Sequence, residues 1–126
     1  MHKSGEDYLE AILQLSLETG SEEVRITDIA KKLGVAKSSV SRAVGNLKAE
    51  GYVTQELYSD VILTAKGKVE AGSVYHRHTA LLSFFADILG VERTLAEHDA
   101  CLVEHDISSE TMEKLVAFIS AYGGKN

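Results

Sequence analysis

Residues 26–53, ITDIAKKLGVAKSSVSRAVGNLKAEGYV, constrain what this chain can fold into more than any other stretch. Thr27 is placed to cap a short helix whose apolar positions are Ile29, Ala30 and Leu33. Gly34 follows, where a helix ends in a left-handed residue, and Val35 is expected to pack under the turn. A second helix is expected over 37–50, because Val40, Ala43, Val44 and Leu47 recur at i, i+3, i+4 and i+7. Its other face carries Lys37, Ser38, Ser39, Ser41, Arg42, Gly45 and Asn46, and Gly51 ends it. Two short helices joined by a glycine turn form a helix-turn-helix, and the second has the dimensions to enter a DNA major groove. The competing reading is an ordinary pair of packed helices. The segment after Gly51 weighs against it.

There, residues 52–57 and 61–64 are rich in β-branched and aromatic side chains, with Tyr58-Ser59-Asp60 as a turn between them. A helix-turn-helix followed by a small hairpin is a winged helix. The residues expected to meet DNA are Thr27, Ala36, Lys37, Ser38, Ser39, Ser41, Arg42, Asn46 and Lys48. The small hydroxyls allow close approach to phosphates, and Arg42 can reach a guanine edge with two hydrogen bonds. Lys66 and Lys68, just past the wing, are further phosphate candidates.

Charge has to be read by region. The formal net charge of −6 is awkward for a DNA binder, but residues 26–68 net +3 and the remainder carries −9. The chain is thus basic where it would meet phosphate, and the acid elsewhere implies a solvated face or a cation. Its 126 residues hold one compact unit or a small domain with a helical extension. There is no proline, which with abundant Ala, Leu, Glu and Lys favours a mainly α fold. No apolar run is long enough to span a membrane, the N-terminus lacks the apolar core of a signal peptide, and the single cysteine suits a reducing cytoplasm.

In chain order, Ser4 is expected to begin a first helix with Asp7 as a capping-box-like partner. Leu9, Ile12, Leu13 and Leu17 supply its core stripe, Asp7 and Glu10 share a face, and the helix ends near Thr19-Gly20. Residues 21–25 form a short acidic connection. Thr64 caps a long helix over 65–89, apolar on more than one side from Ala80 onward, which points to a subunit interface. Gly90 breaks it. A shorter helix over 94–106 and a last one over 109–122, capped by Ser108 with Met112, Leu115, Val116, Phe118 and Ile119 inward, complete the chain. The division is expected near residue 72: a DNA-binding winged-helix domain over 1–72 and a helical metal-binding and dimerisation domain over 73–126.

A second constellation lies in that later part. Cys101, Glu104 and His105 form Cys-x-x-Glu-His, whose spacing puts all three on one helical face. Thiolate, carboxylate and imidazole together suit a transition metal, with His78, Asp7 and Glu10 as candidate partners. Taken alone the triplet is weak. A lone cysteine is more often a small core residue, a Glu-His pair a surface feature, and Asp7 with Glu10 a solvated first turn.

The whole order of pieces resembles a known family, the diphtheria-toxin-repressor and manganese-transport-regulator family of metal-dependent transcriptional repressors. The segments that carry the resemblance are GEDYLEAI, the 26–53 stretch, LTAKG, RHTALLSFFADILGV and EHDACLVEHDIS, in matching order and spacing across nearly the whole chain. The resemblance implies a winged-helix DNA-binding domain, a helical dimerisation domain, and divalent metal acting as co-repressor in divalent metal homeostasis. It implies Asp7, Glu10, His78, Glu104 and His105 as ligands, with Cys101 standing where manganese-type members carry glutamate and iron-type members cysteine. Iron-type members have methionine where this chain has Asp7, so the set is a hybrid and Fe(II) and Mn(II) are level candidates, with Zn(II) and Co(II) able to bind in vitro. Leu82 replaces a glutamate of the iron-type second site, and His98 is one residue out of register with a histidine of that site. The resemblance also implies a cytoplasmic homodimer on a palindromic double-stranded operator, without a membrane partner and without the third domain of longer members. Two rivals stand beside this. One is a metal-independent winged-helix regulator sensing a small ligand or redox state through Cys101. The other is a metalloenzyme, for which the sequence offers no nucleophile-and-base pair outside the ligand set.

Overall fold

The computed structural model describes residues 3–56 and 60–123. The chain forms two compact units, Met1–Ser73 and Val74–Asn126.

The first unit contains α1 (Lys3–Thr19), α2 (Ile26–Leu33), α3 (Lys37–Ala49), the strands β1 (Val53–Thr54) and β2 (Ile62–Leu63), and the start of α4 (Ala65–Ser83). Its core is one apolar cluster that takes Leu9 and Ile12 from α1, Ile29 from α2, and Val40, Val44 and Leu47 from α3. Val53, Val61 and Leu63 close it from the wing and Ala71 from α4. Each such side chain contributes roughly 1.5–3 kcal/mol by leaving water, so the expected helical stripes are what hold the three helices together. Tyr8, Leu13 and Leu15 pack against this core. Leu17 and Val35 do not: both are exposed, because α1 has run past the core by Leu17 and the α2–α3 turn carries Val35 outward.

Two glycines set the helix-turn-helix. Gly34 has φ 67°, and the Val35 N–H donates back to Ala30 O at 3.1 Å. Gly51 has φ 85°, and the Tyr52 N–H donates to Leu47 O at 2.9 Å. Each left-handed residue satisfies carbonyls at a helix end and turns the chain sharply. Thr27 is not the cap of α2. Arg25, in extended conformation, precedes the helix, and its carbonyl accepts from the Asp28 and Ile29 N–H groups. The helix starts early because Val24 is pinned just before it, pairing with Val61 in both directions at 2.8 and 2.9 Å. The expected acidic connection therefore adds a bridge to the wing.

The strands of the wing are shorter than expected, with only Val53 opposite Leu63 and Thr54 opposite Ile62, antiparallel. Of the expected turn, Tyr58 and Ser59 lie outside the described residues, and α1 begins at Lys3, so Ser4 stands inside the helix rather than before it. Thr64 caps α4 as expected: its hydroxyl accepts from the Gly67 N–H at 3.0 Å and donates to Gly51 O at 2.7 Å. A side chain at Gly67 would run into the Tyr52 carbonyl, so the close approach of α4 to the base of the wing requires glycine there.

The second unit holds the rest of α4, a π-helical turn over Phe84–Ile88, α5 (Arg93–Val103) and α6 (Ser109–Gly123). The long helix does not run regularly to residue 89. The Leu89 N–H reaches back five residues to Phe84 O and the Val91 N–H six residues to Phe85 O, and Gly90 at φ 77° ends the turn. Leu81, Ala100 and Met112 form the buried centre, flanked by Leu82, Phe85, Val103, Ile107, Leu115 and Val116. Leu82 is thus occupied in apolar packing. Phe118 is half exposed rather than inward. α5 starts at Arg93 on a cap that the sequence pattern did not reveal: the Glu92 carboxylate accepts from the Leu95 N–H at 3.0 Å. It ends at Val103, three residues short of the expected end. Ser108 caps α6, accepting from the Thr111 N–H at 3.1 Å. Among the described residues no helix is long and apolar enough to cross a membrane.

Candidate metal centre and nucleic-acid interface

The recognition-type helix is α3. Its apolar residues Val40, Val44 and Leu47 are buried, while Lys37, Ser38, Ser39, Ser41, Arg42, Asn46 and Lys48 are exposed, as are Thr27 on α2 and Ala36, the residue preceding α3. The helix thus presents a polar, net basic face of small hydroxyls and one guanidinium. Several lysines nearby are already engaged. Lys48 Nζ donates to Gln55 O at 2.7 Å, and Lys66 Nζ donates to Glu50 O at 2.8 Å while lying over the Tyr52 ring. Lys68 pairs with Glu22 at 2.7 Å. The first two brace the wing and its base against α3 and α4; the third ties α4 to the connection before α2, and the hydrogen bond and charge of Lys68 hold the Glu22 carboxyl below its ordinary range.

Asp7 and Glu10 lie on α1 of the same unit. Glu10 is buried and Asp7 half-buried, so neither belongs to a fully solvated first turn. Glu6, on the adjoining position, is buried as well, which sequence reasoning did not anticipate.

In the second unit, α4 presents His78 and the end of α5 presents Cys101, Glu104 and His105. α5 ends at Val103, so Glu104 is the helix-terminating residue, still with helical φ −57° and ψ −28°. That continuation keeps Cys101 and Glu104 one turn apart. Glu104 has no exposed surface, and neither of its carboxylate oxygens meets a hydrogen-bond donor among the described residues. Its neighbours are imidazoles: His78 Nδ1 at 3.5 Å and His105 Nε2 at 3.7 Å, the latter side chain also buried. One donor atom each from His78, Cys101 and Glu104 lies within 4.8 Å of the others. Cys101 is exposed, so it is not a core cysteine. A desolvated carboxylate is costly without charge or hydrogen-bond compensation. Carboxylate, imidazole and thiolate donors at this spacing fit a divalent transition ion, which supplies that compensation. His98 is exposed on α5 and does not join His78, Cys101 and Glu104 in their grouping of donors.

Two residues that matter here were not singled out from the sequence. The Arg77 Nε–H donates to the Glu104 carbonyl at 2.8 Å, fixing the end of α5 to α4. Glu97 Oε1 lies 2.6 Å from His78 Nε2. Glu97 stands one helical turn before Cys101, and that i, i+4 relation is the signal that would have found it.

Residues 1–61 match the domain described as "Iron dependent repressor, N-terminal DNA binding domain", and residues 64–122 the "Iron dependent repressor, metal binding and dimerisation domain". Among similar proteins, an uncharacterized HTH-type transcriptional regulator of Methanocaldococcus jannaschii is 34% identical over 125 residues, covering 99% of each chain. The transcriptional regulator MntR of Salmonella typhimurium is 33% identical over 118 residues, 94% of this chain and 73% of that one. The structure of the manganese regulator SloR superposes with a TM-score of 0.80 at 30% identity, covering 92% of this chain and 53% of SloR, so this chain spans about half that protein's length. The matched domains make DNA and a second copy of the chain its partners, and the family is one of transcriptional repressors rather than enzymes. The fold is accordingly a mainly α winged helix-turn-helix domain followed by a helical dimerisation domain, and the chain belongs to the iron-dependent repressor family, the diphtheria-toxin-repressor and manganese-transport-regulator group of metal-dependent transcriptional regulators.

Proposed function

We propose that the chain is a cytoplasmic homodimeric repressor of divalent-metal homeostasis whose co-repressor is Fe(II) or Mn(II). The observation that carries this reading is the fully buried Glu104 carboxylate, without hydrogen-bond donors among the described residues and set between the His78 and His105 rings. A group so placed is tolerated where a cation completes it. The ligands are Asp7, Glu10, His78, Cys101, Glu104 and His105. A bound divalent ion supplies positive charge that satisfies acidic groups which otherwise repel one another.

The chain's own residues do the rest. Asp7 and Glu10 belong to the DNA-reading half, over 1–72, and the other four ligands to the dimerising half, over 73–126. Metal occupancy is coupled to the spacing of the two α3 helices of the dimer. Half-sites of a palindromic operator lie about one DNA turn apart, ~34 Å, so only a dimer with the matching spacing docks both helices. Ser38, Ser39 and Ser41 then approach phosphates, and Arg42 reads a base edge.

The test is operator binding by the purified chain with chelator and with added Mn(II) or Fe(II). Binding strengthened by either ion supports the proposal, and equal affinity in both conditions removes the metal from the mechanism.

A second reading draws on the exposure of Cys101. Oxidation of that thiol would alter the same cluster, and loss of DNA binding on mild oxidation, with indifference to chelator, would favour it.

A further inference from the structure

Glu97 lies outside the six-residue ligand set, on the solvent side of α5, with its side chain half exposed. It nevertheless makes a close contact with His78, 2.6 Å between Glu97 Oε1 and Nε2. The opposite ring nitrogen, Nδ1, is the one that faces Glu104 at 3.5 Å. The His78 ring is buried, so contacts within the protein rather than solvent set its orientation. Both nitrogens face carboxylates, which can only accept, so in the neutral ring the proton sits at the short contact: Nε2 donates to Glu97 at 2.6 Å, while Nδ1 stands 3.5 Å from Glu104. The Nδ1 lone pair is thereby left facing Glu104, whose donor atoms group with those of His78 and Cys101.

We propose that Glu97 is the positioning residue of the metal centre: it fixes the tautomer and orientation of His78 and strengthens Nδ1 as a donor, without itself touching the ion. Carboxylates that hold the far nitrogen of a ligating histidine commonly raise metal affinity in this way. The proposal rests on the reading of His78 as a ligand. It differs from assigning Glu97 as a seventh ligand, because Glu97 engages the nitrogen turned away from the cluster.

The experiment compares the full-length wild type with Glu97→Ala and Glu97→Gln, each first checked for native helicity by circular dichroism. Long-range 15N–1H correlation on the metal-free protein at about pH 8, above the ordinary histidine range, reads the His78 tautomer directly. Competition against a fluorescent chelator, with Mn(II) alone as the probe, reads affinity and stoichiometry. The wild type is expected to carry the proton on Nε2. Glu97→Ala is expected to lose that preference and to weaken Mn(II) binding by about 10–100-fold, with stoichiometry unchanged. Glu97→Gln, whose amide oxygen still accepts, is expected to recover part of both.

A wild-type ring protonated on Nδ1, or Mn(II) bound by Glu97→Ala as tightly as by wild type, overturns the proposal. A drop in the number of ions bound by both variants overturns it as well, in favour of direct ligation. A wild type that binds no divalent ion defeats the metal reading, and this proposal with it. Normal metal binding by Glu97→Ala defeats this proposal alone.

Discussion

Glu104 is the residue on which the metal reading bears hardest. Its carboxylate has been taken out of water and given two imidazoles in place of hydrogen-bond donors. In the metal-free protein that arrangement costs stability, and a neutral amide of the same shape costs less to bury. Glu104→Gln is therefore expected to leave the metal-free melting temperature at or above that of wild type, while abolishing the rise that Mn(II) produces in wild type. Thermal scans with and without the ion check both halves. Arg42 gives the complementary case on the DNA side: Arg42→Ala should cost about 1–3 kcal/mol on specific DNA and leave metal affinity intact, read by anisotropy and chelator competition. At this scale the grouping of candidate donors was legible in part, because Cys101 and Glu104, which the structure brings together with His78, are tied by helical spacing. Glu97 and Arg77 were not, because each acts through a neighbour, and which ring nitrogen or carbonyl a side chain will meet depends on packing between α4 and α5 that no local pattern encodes.

Among the elements, glycine and caps decide where helices stop, and these were the most legible features. Gly34, Gly51 and Gly90 each adopt positive φ at an expected break, and Thr64 and Ser108 cap as expected. Thr27 failed as a cap because a long-range pairing, Val24 with Val61, fixed the chain one step earlier. The π-turn over Phe84–Ile88 was likewise out of reach, since its apolar residues fit a regular helix equally well. Gly67 was not singled out at all, although its missing Cβ is what lets α4 start against the Tyr52 carbonyl. Gly67→Ala is expected to destabilise the winged-helix unit by about 1–3 kcal/mol, the usual cost of forcing an extra methyl into packed backbone, measurable by urea unfolding. The Glu92 cap gives a pH signature. Backbone N–H groups of Thr94 and Leu95 hold its carboxyl below the ordinary glutamate range. A depressed native value means the stabilisation is present above the ordinary glutamate range and is lost as pH falls through the native one. Glu92→Ala should accordingly melt lower than wild type at neutral pH, and the gap should close on acidification.

Across the whole molecule the question is how a chain of net charge −6 holds DNA tightly enough to act. Regional charge supplies part of the answer, since residues 26–68 net +3, although Lys48, Lys66 and Lys68 are already engaged by backbone carbonyls and Glu22. One such small basic patch is weak on its own, and two on one dimer are not. The second unit leaves large apolar side chains in solvent: Leu89, Phe118 and Tyr122 are among those exposed. Phe118 joins Phe84 edge-on at a centroid distance of 6.2 Å and stacks with Tyr122 at 6.1 Å, forming a continuous aromatic patch on a domain whose family description includes dimerisation. Contiguous exposed apolar surface of this kind marks an association site. Replacing Phe118 with Asp puts a charge in the middle of it, without touching any ligand or the α3 face. The variant is expected to sediment as a monomer and to bind operator about 10²–10⁴-fold more weakly, the loss expected when two linked half-site contacts become one. Its Mn(II) affinity per chain should stay at the wild-type level. A monomer that kept full operator affinity would show instead that a single α3 helix suffices, and the dependence of repression on helix spacing would fall with it.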